Sequence, residues 1–264
     1  MRAALSARPP LLVGVLSLLG TAFLVVPLVA LGIRLPWGRV GQILGRPEVI
    51  SALRVSLVGS LGSLALSTIL GLPLAWLLAR RSFPGRALLR ALCVLPMVLP
   101  PVVAGVALLL AFGRRGLVGE PLASLTGITL PFSVGAVVLA GTFVSMPFLI
   151  VMVEAGLRSM DRRFEEAATT LGANRAYLFR HVTLPLIAPS LTGGMALCWT
   201  RALGEFGATI TFAGNLPGRT QTMPLAVYLE LEANPASAYL LSLLLLVVSA
   251  GVLLALRGRS LASP

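Results

Sequence analysis

Apolar residues run almost unbroken through six stretches of this chain, at about 11–33, 50–79, 88–112, 132–157, 183–213 and 236–256, and polar residues gather in the short segments between them. One helical crossing of a hydrocarbon layer about 30 Å thick takes about 20 such residues. Each stretch is long enough, so the pattern predicts an all-α, polytopic membrane protein with about six transmembrane helices. No hydrophilic stretch is long enough for a separate soluble unit, and residues 1–264 are expected to form one membrane domain. The first stretch follows Arg2 and Arg8, but it is longer than the apolar core of a secretory signal, and no small-residue cleavage site comes after it. It is expected to be a retained first helix.

Composition agrees, with 57% hydrophobic residues, 11% charged residues and a mean hydropathy of +0.95. A net charge of +12 would admit a nucleic-acid partner, yet the arginines are scattered between apolar runs and do not cluster with aromatics on a polar face. Lipid is the expected partner, and no nucleic acid is. Short cytoplasmic loops accumulate positive charge. With the N-terminus inside, thirteen arginines fall on the inner side, among them Arg80, Arg81, Arg86, Arg90, Arg158, Arg162, Arg163, Arg175 and Arg180. Only Arg34, Arg39, Arg46, Arg114, Arg115 and Arg219 fall outside, so both termini are expected in the cytoplasm. Cys93 and Cys198 lie inside apolar runs and read as small buried hydrophobes, and the single histidine, His181, provides no metal ligand set.

Three local features stand out within the spans. Gly59, Ser63, Ser67 and Gly71 recur every four residues and line one face of the second span with small side chains, which lets another helix approach closely. In the third span, Pro96, Pro100 and Pro101 remove backbone donors and call for a bend or a break. Between spans four and five, the polar stretch EEAATTLGANRAYLFRHVTLPLIAPSL has the build of a helix instead of a loop. Asp161 is a candidate N-cap, Glu165 and Glu166 suit the positive end of a helix dipole, and Phe164, Ala167, Ala168 and Leu171 recur at i, i+3, i+4 and i+7. Gly172 is placed to stop that helix in a left-handed conformation, and Asn174 to cap a second short helix running through Tyr177 and Phe179 until Pro185. The shallow alanine face suits a groove on another protein, or else the membrane surface or the chain's own bundle.

Glu166-Ala167-Ala168, then Gly172, then Val182, Leu184 and Pro185, resemble in spacing the EAA motif of permease subunits of ATP-binding-cassette importers. The resemblance extends over roughly residues 50–232, and LGLPLAWLLARRSFPGR, LPMVLPPVVAG and above all RALGEFGATITFAGNLPGRTQTMPLAVYL are similar to molybdate and tungstate permeases, with sulfate or thiosulfate permeases as the alternative. It implies a type I importer permease fold in a bacterial or archaeal cytoplasmic membrane. It also implies that Glu166, Ala167, Ala168, Gly172, Leu184 and Pro185 form a coupling element docking on a cytoplasmic ATPase. The implied partners are a second copy of this chain, two ATPase subunits and an extracytoplasmic oxyanion-binding protein. The small-residue face of the second span is taken as support for the paired copies. ATP and magnesium would belong to the ATPase, since this chain lacks the G-x-x-x-x-G-K-[ST] phosphate loop and is expected to be non-catalytic, with no cofactor or metal of its own. The sequence runs about eight residues past Leu256, and an added regulatory domain is not expected in this subunit.

The fifth span carries the other candidate site. Arg201 and Glu205 are charges one helical turn apart in an apolar run, costly enough in a membrane to suggest function, either as a mutual pair or along the translocation path. Thr209, Thr211, Asn215, Arg219 and Thr220 follow as donors suited to a tetrahedral dianion, as an outer gate or a contact for the delivery protein. A membrane-embedded enzyme fits poorly, because the only aspartate is Asp161 and the only histidine His181, both between spans. A stand-alone channel would not need a docking helix.

Overall fold

The computed structural model describes residues 11–260, so Arg2 and Arg8 lie outside the described residues, as do the side chains of Arg257 and Arg259. In chain order the α-helices are α1 (Leu11–Ile33), α2 (Val40–Leu44), α3 (Pro47–Arg80), α4 (Arg86–Val98), α5 (Pro101–Phe112), α6 (Gly119–Thr126), α7 (Val134–Ser159), α8 (Arg163–Thr170), α9 (Arg175–Leu178), α10 (Leu184–Leu203), α11 (Gly207–Phe212), α12 (Met223–Ala233) and α13 (Pro235–Ser260). Proline stands in the first turn of α3, α5, α10, α12 and α13, where its missing N–H would have had no helical partner anyway.

Side-chain register shows how the crossings run. Gly59 faces Val137, Ser63 Oγ donates to the Val138 carbonyl at 2.9 Å, and Gly71 faces Met146 and Ile150. The numbers rise together, so α3 and α7 are parallel. Between two parallel crossings the chain must return, and the apolar pair α4–α5 is the segment available to do so. At α7's later end Arg90 Nε donates to Glu154 Oε1 at 3.1 Å, whereas Ala104 and Leu108 of α5 pack with Ala136 and Val137 at its start. Five long apolar helices plus this bent pair therefore make the six expected crossings. α10 runs antiparallel to α7, with Gly156 against Ser190 at one end and Ser145 accepting from Cys198 at the other.

The small-residue face of α3 is fully buried against α7. A Cβ on Gly59 would come within 2.7 Å of Val137. That face is therefore occupied within one chain and is not a surface for pairing two copies, which corrects the expectation above. α1 lies at the other extreme, with none of its side chains buried.

Two spans are discontinuous. α4 and α5 meet at 119°, and the break falls at Leu99 and Pro100, both extended with ψ of 133°, because each precedes a proline that disfavours the helical region. Pro96 is accommodated inside α4. The fifth span, expected to be continuous over 183–213, is broken after Leu203, and Glu205 opens the new helix α11. Glu205 Oε1 accepts the Ala208 N–H at 2.8 Å, so a side chain within the apolar run competes with the helical ladder and wins. The two half-helices pack on each other: a Cβ on Gly105 would meet Thr211 Cβ at 2.6 Å and the Ala208 carbonyl at 3.0 Å, which is why only glycine fits there.

Candidate functional site

The polar segment after α7 folds from its own local signals. Asp161 Oδ1 accepts the Arg163 N–H at 3.0 Å, one residue ahead of the assigned cap position. At the other end Gly172 takes φ +85°, its N–H bonds to the Thr169 carbonyl, and the Ala173 N–H reaches back to the Ala168 carbonyl, each at 3.0 Å. This paired closure satisfies two of the helix's terminal carbonyls. A Cβ on Gly172 would meet nothing within 4 Å, so the demand for glycine there is conformational and not steric. Asn174 Oδ1 then accepts the Tyr177 N–H at 2.8 Å and opens α9.

The second short helix does not end at Pro185, as expected from the sequence. α9 continues through a π turn at Phe179–Thr183 into α10, and Pro185 sits in the first turn of α10. The wider turn lets the helix axis pass into the span without requiring the N–H that proline lacks. Tyr177 and His181 stack with centroids 4.2 Å apart along this stretch.

α8 divides its faces sharply. Phe164 is 56% and Leu171 88% exposed, Ala167 and Glu166 are exposed, and Ala168 is half-buried, so the apolar stripe has no cover within the chain. Glu165 points the other way: its Oε1 accepts from Thr183 Oγ1 at 2.8 Å and lies 3.1 Å from Arg80 Nη2 at the end of α3. The helix dipole alone treats the two glutamates alike, and no short-range signal in the sequence announces this latch. Leu184 is half-buried and packs on the core around Leu149, Leu157 and Ile187, while Pro185 is exposed. Of the six residues grouped from the motif, Glu166 and Ala167 are exposed on α8 and Ala168 is half-buried there, Gly172 ends that helix, and Leu184 and Pro185 belong to the following span.

The candidates around α11 divide between those held in local contacts and those without a partner among the described residues. Arg201 Nη1 lies 2.5 Å from Glu205 Oε2, and Glu205, only 2% exposed, spends its other oxygen on α11. The pair both neutralises a charge and caps a helix, which gives it a structural role. Thr209 is buried, Thr211 Oγ1 donates to the Gly207 carbonyl at 2.8 Å, and Thr220 Oγ1 accepts the Leu216 N–H at 3.0 Å. Asn215 Oδ1 is buried without a hydrogen-bond partner, and Arg219 is exposed. A second intramembrane network was passed over in the sequence. The buried carboxylate of Glu154 is held by Arg90 and by Arg158, the latter at 2.8 Å and one helical turn away. That i, i+4 spacing at the end of the fourth apolar stretch was the readable sign.

A family model described as "Binding-protein-dependent transport system inner membrane component" matches residues 67–262. The chain is 45% identical over 246 residues to the molybdenum transport system permease protein ModB of Mycobacterium tuberculosis, covering 92% of each. It is 37% identical over 227 residues to the sulfate transport system permease protein CysT of Escherichia coli, covering 84% of this chain and 82% of that protein. Among solved structures, a bacterial ABC transporter involved in the import of the acidic polysaccharide alginate superposes with a TM-score of 0.72 at 18% identity, over 95% of this chain and 94% of that one.

Proposed function

The chain belongs to the family of binding-protein-dependent transport system inner membrane components, and on that premise we propose that it is the membrane-spanning permease subunit of an ATP-driven importer for molybdate or tungstate. The multi-pass helical architecture is that of an ABC importer permease. The observation that carries the coupling role is the division of α8, whose inner face is latched to α3 and α10 through Glu165 while its apolar face stays open. Such a helix can transmit a push: a groove closing on Phe164, Ala167 and Ala168 moves Glu165, and with it the ends of two spans. The groove would belong to a separate ATPase subunit that binds ATP and magnesium, two of which would serve two copies of this chain, and the permease itself would be non-catalytic.

In this reading an extracytoplasmic binding protein delivers the oxyanion to the outer mouth and the cytoplasm lies on the side of α8. Arginine excess on that side supports the orientation and a place in the bacterial or archaeal cytoplasmic membrane. Glu205 would repel a dianion if free, and its pairing with Arg201 removes that barrier. Relatives named for molybdenum transport at 45% identity favour molybdate, and the sulfate permease at 37% sustains sulfate or thiosulfate as the second reading. The deciding experiment is ATPase activity of the reconstituted complex with its binding protein. Stimulation by molybdate or tungstate and not by sulfate is expected, and stimulation by sulfate alone reverses the substrate assignment.

A further inference from the structure

Beside the latch, a cavity of about 520 Å³ is lined by Trp76, Arg80, Arg81, Glu165, Arg175 and Phe179 among others. Three arginines and a single carboxylate line it, and that carboxylate already accepts from Thr183. The Arg80 side chain is only 9% exposed, and although Nη2 lies 3.1 Å from Glu165, neither Nε nor Nη2 makes a hydrogen bond. Buried guanidinium donors left unsatisfied call for an oxygen-rich anion.

Trp76 and Phe179 also line a second, apolar groove of about 440 Å³ with Thr68, Ile69, Leu72 and Pro73. From Thr68 to Trp76 the helix rises about 12 Å, close to the depth of acyl chain in one leaflet of a layer about 30 Å thick. The basic cavity lies at the polar end of α3 and adjoins the apolar groove across Trp76 and Phe179, and from there the groove runs back along the apolar span. A free oxyanion has no use for that groove, and a carboxylate from a partner protein would fill only the cavity. One occupant matches both halves.

We propose that the adjoining cavity and groove together hold an anionic phospholipid, its phosphate on Arg80, Arg81 and Arg175 and an acyl chain along Thr68–Trp76, bracing the contact between α3 and the α8 segment. Basic pockets of this kind at the cytoplasmic ends of membrane helices suit anionic headgroups. The proposal rests on the orientation given above only in placing the lipid in the inner leaflet.

The test is native mass spectrometry of the complex with its ATPase, released from phosphatidylcholine nanodiscs doped with phosphatidylglycerol, so that lipid retention is read independently of uptake. Preferential retention of phosphatidylglycerol is expected, with apparent affinity falling about fivefold in Arg81→Gln and again in Arg175→Gln. Ile69→Trp, which fills the groove at an exposed position of α3, should also lower it. Equal retention of the two lipids, or unchanged retention in all three variants, overturns the proposal. So does displacement of the lipid by inorganic phosphate together with indifference to Ile69→Trp, which would mark a free-anion site. Loss of the ATPase from Arg81→Gln with lipid retention unaltered would assign the cavity to the protein partner instead.

Discussion

The α8 segment and the α10–α11 break are both polar interruptions of an apolar chain, yet they are built on opposite plans. α8 has its stop signals on the surface and its apolar stripe uncovered, so nearly everything specific about it points outward. The α10–α11 break turns its charges inward: Glu205 is 2% exposed and joins Arg201 to the start of α11. The lesson is that an exposed polar insertion reads as an interface, whereas a buried one is first a solution to the problem of unsatisfied backbone. Charge in a membrane segment is therefore poor evidence of conduction until its hydrogen bonds have been counted.

This contrast breaks most readily at Glu205. Glu205→Ala leaves Arg201 unpaired and the Ala208 N–H uncapped, and should cost on the order of 3–5 kcal/mol, seen as a lower thermal unfolding midpoint in detergent. Glu205→Gln keeps an acceptor for the cap and should lose less. If both variants unfold like the parent while uptake disappears, Glu205 acts on the substrate and the structural reading fails.

Gly172→Val should come next, with about 1–3 kcal/mol of backbone strain at a φ of +85°. The strain is local to the α8 closure, so membrane insertion should persist while co-purified ATPase or coupling of hydrolysis to uptake drops. Smaller still is the expected effect on stability of Phe164→Ala, within about 0.5 kcal/mol because the ring is mostly exposed. Ala168→Trp should likewise leave the fold intact. In both variants ATPase association should nevertheless weaken, and normal association, ATPase rate and uptake in the pair would show that α8 is not the docking element. The mildest perturbation sharpens orientation alone: single cysteines at Arg175 and Arg219, both exposed, should label from opposite sides of intact membranes. Labelling of both from outside would invert the topology.

Legibility followed the range of the forces involved. Asp161, Gly172 and Asn174 were readable because a cap or a left-handed stop is decided within one turn by the residue's own backbone and side chain. Leu99–Pro100 was readable as a bend for the same reason, though not its angle. Glu165 and Glu166 are indistinguishable in sequence, and their roles separate only because Arg80 and Thr183 happen to lie behind one of them. Gly204-Glu205-Phe206 looked like the middle of a span, since an apolar count does not register a carboxylate that caps a helix three residues on.

What the amino-acid order determined by itself is the solvent and part of the local punctuation: a chain this apolar must place its long runs in lipid, and Pro100–Pro101, Gly172 and the capping side chains of Asp161 and Asn174 start and stop helices where they stand, although Pro73, Pro96 and Pro147 are carried inside them. The tertiary structure alone decided which small-residue face is consumed by α7, which half-helices stack through Gly105, and that Arg80 meets Glu165 and Arg90 meets Glu154. Those are contacts between residues tens of positions apart. Helical periodicity can say that a face must be covered, but the identity of its cover depends on how the crossings are arranged around one another.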